Sequence, residues 1–337
     1  MIKRRILRAI AVASTALLAL SACSSGVSGT AEEGKTLVLS LNQAESHPSY
    51  IALTSFGERV KERTGGRWDI KVYPNETLGA QQEVIQLVSD GSVDMAVASG
   101  TQLENLNPDF ATLNLPTVFK SIDHQMKVVG DDNIVGELFS SLEESKNLTV
   151  VGGLTQGDRN IYTVAGPVTE PEDLRGMKIR VQESDIHIAM INAMGGSATP
   201  MSYGEVYTAL QSGVLDGAEN NEVSYVSQKH NEVAKHVALT RHLVGLDYML
   251  INSDLIKSMN PEDRKIFDEE WQQTVTEHVE LWNTQNDAAI ASAKKSGSKF
   301  NEVDTAAFTK ALKPVVDNAL TTDDAHKLYD NIQEAAK

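Results

Sequence analysis

The sequence predicts a two-lobed α/β protein with one long helix lying across both lobes, and three observations carry that expectation. After residue 35, short β-type runs alternate with helical patterns. The alternation starts afresh at Leu148, and from Asn260 to Gly297 nothing interrupts a helical pattern. A chain of 337 residues is long enough for two cores at about 150 residues each.

In the first half, residues 36–41 (TLVLSL) read as a strand and residues 49–63 as a helix with Ile51, Phe56 and Val60 inward. Residues 67–72 read as a second strand, 81–89 as a helix and 93–98 as a buried strand. This β-α-β-α-β order favours a parallel sheet with right-handed crossovers. In the second half, strands are expected at 148–152, 177–181 and near Val214, with helices at 185–194 and 204–211. Open α/β sheets collect ligands at the carboxyl ends of their strands, so a cleft between the lobes is the natural binding place.

The long helix has its own punctuation. Asn260 suits an N-cap, Pro261 the first helical position, and Glu262 and Asp263 the positive helix end, with Gly297 as the first breaker. At 1.5 Å per residue, about 35 residues extend about 50 Å, wider than one small domain. Phe267, Trp271, Val275, Val279 and Trp282 form a narrow apolar stripe that fades into Ala288, Ala289, Ala291 and Ala293. The stripe is too brief for a coiled coil, which leaves a beam across both lobes.

The first 22 residues belong to targeting. Lys3, Arg4, Arg5 and Arg8 precede an apolar run over residues 9–20, the pattern of a secretory signal and too short to span a bilayer. The run ends Leu20-Ser21-Ala22-Cys23, similar to a bacterial lipobox, with Cys23, the only cysteine, at the cleavage point. Residues 23–35 then form a lipidated, flexible tether, small and polar at its start. The expected product is exported, lipid-anchored on the outer face of a membrane or in the periplasm, and otherwise soluble.

Charge and composition exclude several functions. The formal net charge is −16; loss of residues 1–22 leaves 26 Lys and Arg against 46 Asp and Glu, a net −20. Such a surface disfavours nucleic acid, whose binding relies on clustered Lys and Arg. One cysteine makes neither an internal disulfide nor a cysteine-rich metal site. His230, His236 and His242 repeat every six residues, whereas helical metal ligands need spacings of three or four. No HExxH, GxSxG, GxGxxG or Walker A motif is present, so no metal and no cofactor are expected.

Two arginines are chemically prominent. Arg159 follows a strand in Gly157-Asp158-Arg159, and Arg180 lies inside the apolar run 177–181 (MKIRV), where an unpaired charge is costly to bury. From these residues alone, Arg180 either pairs with a structural carboxylate or clamps a ligand carboxylate, which the guanidinium fork matches with two parallel hydrogen bonds.

Around these arginines the motifs become specific: PEDLRGMKIRV at 171–181, MGGSATPM at 194–201 and EVYTALQSGVLDGAENN at 205–221. In this order, with Tyr73-Pro74, Leu78-Gly79, GSVDM at 91–95 and the long helix, they resemble the solute-binding proteins of tripartite ATP-independent periplasmic (TRAP) transporters. The likeness covers nearly all of the mature chain. It implies a periplasmic-binding-protein-like (Venus flytrap) α/β fold that closes on an organic acid, and a monomer delivering it to ion-gradient-driven permease subunits. The implied lobes are 36–155 with about 246–285, and 156–245 with about 286–337.

Carried over residue by residue, the family's carboxylate clamp matches Arg180, its second ligand arginine Arg159, its amide donor Asn220 and its aromatic wall Tyr203. Asn42, Gln81, Ser99 and Ser184 match variable positions of the cleft. TQGDRNIY at 155–162, Ser46-His47-Pro48, Glu219-Asn220-Asn221, Ser224-Tyr225 and His230 resemble the subgroup that binds hexuronates such as glucuronate and galacturonate. His47, Gln81, Glu83, Gln182, Asn221 and Asp247 are candidate partners for sugar hydroxyls. The sequence departs from that subgroup at 221–223 and 246–248, which leaves sialate, keto acids and dicarboxylates open. The alternative class is a secreted lyase or hydrolase of acidic sugars using Arg159 with Tyr203 or His47. A structural envelope lipoprotein, with neither ligand nor cleft, is a third.

Overall fold

The computed structural model describes residues 34–337; the signal segment and Cys23 lie outside the described residues. Nine strands form one sheet in the order β2-β1-β3-β8-β4-β7-β5-β6, with β9 (Lys299–Asn301) pairing β8. Strand β1 (Lys35–Ser40) runs parallel to β2 (Trp68–Tyr73) and β3 (Met95–Ser99). In the second half β5 (Lys178–Val181) runs parallel to β6 (Ser197–Pro200) and β7 (Gly217–Asn220). The parallel groups and helices Pro48–Arg63, Gln81–Ser89 and Asp185–Ala193 follow the sequence expectation. The strand expected near Val214 begins at Gly217, and Val214 is exposed.

The larger difference is what joins the halves. Strand β4 continues from Leu148 to Thr163, far beyond the expected 148–152, and β8 (His236–Asn252) was not anticipated. They pair antiparallel along most of their length, so the sheet is mixed rather than wholly parallel. Polar and glycine residues within both strands disguise them, because a strand buried on both faces needs no clean alternation.

Midway, the β4–β8 ladder slips: Thr155 pairs with Leu246, then Asp158 with Val244, leaving Gln156 and Gly157 in a bulge. Gly157 has φ +58°, and a Cβ there would lie 2.5 Å from Trp282 Nε1. Gly157→Ala combines a left-handed alanine with displacement of a buried indole. The expected cost is about 3 kcal/mol, read as a lower urea midpoint; an unchanged midpoint would show that the bulge relaxes freely.

The long helix spans Pro261–Lys295, capped by Asn260, whose side chain accepts from Glu262 N and Asp263 N. Its first half packs Phe267 and Trp271 edge-on against Phe56, over a core that includes Leu37, Leu39 and Met249. Farther along, Trp282 and Ala289 pack with Val223 of the second half, and Ala293 joins the cluster of Tyr162, Leu210 and Tyr225. The buried seam, however, is partly polar: Glu270, Thr274 and His278 are buried, whereas Val275 and Val279 are only half-buried. Arg59 explains this by reaching Glu270 (2.6 Å), Thr274 (2.7 Å) and Glu277 (2.8 Å). Charge pairing thus rotates the contact face from the apolar stripe. No helix among the described residues is long and apolar enough to cross a membrane.

Candidate ligand-binding site

The carboxyl ends of β1, β3, β5 and β7 converge on a small polar cavity, at the strand ends where open α/β sheets place ligands. Asn42 and Gln43 follow β1, Gln81 opens its helix, and Ser99 ends β3. Opposite stand Arg180 and Gln182 at the end of β5, Asn220 ending β7 and Tyr203 from a short turn. Gln156 and Arg159 enter from β4 and Asp247 from β8, beside the bulge.

Arg180 is 3% exposed, and no carboxylate lies within ion-pair distance of it among the described residues. Its Nε and Nη2 donate to the carbonyl of Met201 at 2.9 and 2.7 Å, and its guanidinium lies 5.8 Å from the Tyr203 ring centre. Burial pulls its pKa below the ordinary arginine value, Arg159 adds to that, and Glu219 opposes it from a distance. A guanidinium so placed is a buried charge with no carboxylate in direct contact among the described residues, an arrangement that favours an anionic partner.

Arg159 differs. Its Nε and Nη2 grip the Glu219 carboxylate at 2.6 and 2.7 Å, and its Nη1 donates to Asn220 Oδ1 at 2.9 Å. Burial alone would depress its pKa, but the charge and hydrogen bond of Glu219, with smaller contributions from Tyr162 and Asp247, together hold it above the ordinary value. Burial would raise Glu219, yet Arg159 and His187 hold its carboxyl well below the carboxylate range. The pair is neutral as a unit, which leaves Arg180 as the cavity cation with no ion-pair partner among the described residues. Asn220 Oδ1 also accepts from the Asn221 backbone and side chain, so its amide nitrogen is the end left to donate.

Nine of the residues singled out in the sequence line this cavity: Arg180, Arg159, Asn220, Tyr203, Gln81, Gln182, Asp247, Asn42 and Ser99. Four do not. His47 caps helix Pro48–Arg63 through Ser49 N (3.1 Å), and Glu83 accepts from Ala80 N at the start of Gln81–Ser89. Asn221 caps helix Glu222–Ser227, and Ser184 caps Asp185–Ala193 while donating to Glu104 at 2.8 Å. Asn, Ser and Glu are the residues helix starts select, so ligand and cap signals overlap in a sequence. Gln43 and Gln156 line the cavity and were missed, although they adjoin Asn42 and Gly157 in runs already noted. Buried acceptor atoms Asn42 Oδ1, Gln43 Oε1, Gln156 Oε1 and Asp247 Oδ2 have no hydrogen-bond partner among the described residues, and buried polar atoms require one.

A sheet of this topology with a buried arginine-centred polar cavity is suited to holding a small acidic solute. The chain matches the family profile described as bacterial extracellular solute-binding protein, family 7 (DctP), over residues 39–323, and belongs to that family, the binding proteins of TRAP transporters. A solute-binding protein of Chromohalobacter salexigens is 36% identical over 292 residues, 86% of each chain. Among solved structures, a TRAP periplasmic solute-binding protein of Anaerococcus prevotii with bound D-glucuronate is 37% identical. It superposes with a TM-score of 0.86 over 89% of this chain and 97% of its own. One from Xanthobacter autotrophicus with bound β-D-galacturonate is 30% identical, with a TM-score of 0.85 over 88% and 99% of the two chains.

Proposed function

We propose that this protein captures a hexuronate such as glucuronate or galacturonate and delivers it to TRAP permease subunits. The observation that carries the reading is Arg180, buried in the cavity without a carboxylate of its own, beside an arginine already neutralised by Glu219. The ligand carboxylate seats on Arg180 as a bidentate pair, with the Asn220 amide and Arg159 edge as further donors. Sugar hydroxyls meet Asn42, Gln43, Gln156 and Asp247, whose unpartnered acceptors a polyhydroxyl ring can satisfy, and the amide nitrogens of Gln81 and Gln182, whose oxygens already accept from Ser99 N and Thr101. The solved relatives with bound glucuronate and galacturonate support the same class.

The lobes are residues 36–155 with about 246–285 and residues 156–245 with about 286–337, hinged at the β4–β8 bulge. Thr101 donates to Gln182 (2.8 Å) and Gly204 N to Glu76 (3.0 Å), contacts that link the two proposed lobes. Contacts of one ligand with both lobes favour a closed state. Cys23 carries the lipid anchor, and the mature protein works as a monomer.

A thermal-shift panel tests the reading. Ligand at 100 times its Kd adds about 2.7 kcal/mol of stability, so a hexuronate is expected to raise Tm by several degrees. Hexarates and C4-dicarboxylates are expected to shift it less, because one cation is uncompensated and a second carboxylate would be buried unpaired. No shift with any sugar acid would refute the function, and a stronger shift with dicarboxylates would refute the charge argument.

A further inference from the structure

We propose that Asp247 makes capture proton-linked: as the sugar acid enters, the Asp247 carboxylate takes up a proton from solvent and donates a hydrogen bond to the solute as a neutral acid. The inference rests on the reading that the cavity holds a sugar monocarboxylate. It goes beyond that reading by assigning the protonation state on which capture depends.

The geometry supplies the reason. Asp247 sits on β8 between Ser99 of β3 and Leu154 of β4, so its backbone is fixed in the middle of the sheet. Its side chain lines the cavity, is 4% exposed and forms no ion pair or hydrogen bond within the described residues; Oδ2 is fully buried. The groups that could set its charge come from every neighbouring element. Arg159 faces it from β4, but its fork is committed to Glu219 of β7. Tyr203 from its turn and the adjacent Tyr248 are kept neutral by burial. Arg180 stands on β5 across the cavity, and Glu104 lies beyond the end of β3. Burial outweighs the pull of Arg159 and pushes the Asp247 carboxyl up to about 7.

Ligand binding adds a carboxylate to the same low-dielectric space, which disfavours a second negative charge and raises Asp247 further. The solute stays ionised on Arg180, and the proton joins Asp247. The neutral carboxyl then offers one O–H donor and one acceptor to neighbouring hydroxyls, where the ionised form offers acceptors only.

Calorimetric titration of the mature wild-type protein with D-glucuronate, at pH 6, 7 and 8 and in buffers of different ionisation enthalpy, tests this. Up to one proton is taken up per glucuronate, and Kd is expected to weaken about tenfold from pH 6 to pH 8. Asp247→Asn removes both the uptake and the pH slope. Glu104→Gln, which alters another carboxyl raised to about 7, keeps them. Binding with no proton uptake, or an unchanged slope in Asp247→Asn, overturns the proposal while leaving hexuronate binding standing. Absence of any binding heat or thermal shift at every pH refutes the functional reading itself. If the Asn variant does not fold, the wild-type proton count decides.

Discussion

Arg180→Lys is expected to weaken glucuronate binding by about 10²–10³-fold, and Arg180→Ala at least as much. Truncating one side of a buried, hydrogen-bonded charge pair costs roughly 2–5 kcal/mol, and each 1.4 kcal/mol is tenfold in Kd. Lysine keeps the charge but not the planar fork, and its compact ammonium would desolvate at a greater cost. Arg180→Ala is expected to leave the ligand-free protein within about 1 kcal/mol of wild type, because loss of the bonds to the Met201 carbonyl is offset by removal of a buried charge. Arg180→Lys keeps a buried charge and has no such offset, so the alanine variant is the one that reports on the unliganded fold. Equilibrium titration together with urea unfolding of each variant separates the two effects. Wild-type affinity in Arg180→Lys, or collapse of the unliganded fold, would contradict the clamp.

Glu219→Gln is expected to act in the opposite way, through stability. It strands the Arg159 guanidinium in a site already holding Arg180, and breaking such a buried pair from one side costs about 3–5 kcal/mol. His187 Nδ1 at 3.4 Å and His242 Nε2 at 3.5 Å border the same carboxylate and cannot replace its charge. The pH dependence has a definite sign. Because the folded protein holds Glu219 below the ordinary carboxylate value, its contribution is present above the unfolded pKa, near 4.3. It is lost as pH falls through the lower folded value. Wild type should therefore lose stability more steeply than Glu219→Gln on acidification below about pH 4.3. Parallel acid-unfolding curves would show that the pair contributes no linkage.

Local signals carried much of the fold. The long helix was legible because Asn260, Pro261 and Gly297 punctuate it in one dimension, and Arg180 stood out because a charge interrupts an apolar strand. Pairing across the sheet was not legible. Glu219 neutralises Arg159 from 60 residues away, and this is what distinguishes the two arginines; neither residue type nor spacing announces it. Strand β8 escaped notice for a related reason. Its polar residues have scattered partners, Arg241 with Glu302, His242 beside Glu219 and Asp247 in the cavity, so they interrupt the usual apolar pattern. His47, Glu83, Asn221 and Ser184 are residues suited to a sugar hydroxyl that serve here at helix starts and do not line the cavity.

The net charge of −16 also needs to be read locally. An acidic protein can hold an anion where one guanidinium is desolvated and uncompensated, because surface carboxylates are screened within about 10 Å. Asp247 is the nearby exception, and its neutralisation on capture removes the one acidic group of the cavity that has no partner.

A crystal structure of the mature protein with D-glucuronate tests the central claim most directly. The expected result is the uronate carboxylate in two parallel hydrogen bonds to Arg180, about 2.8 Å each, with Arg159 still gripping Glu219. A carboxylate seated elsewhere in the cavity, with Arg180 bound only to the Met201 carbonyl, would contradict it.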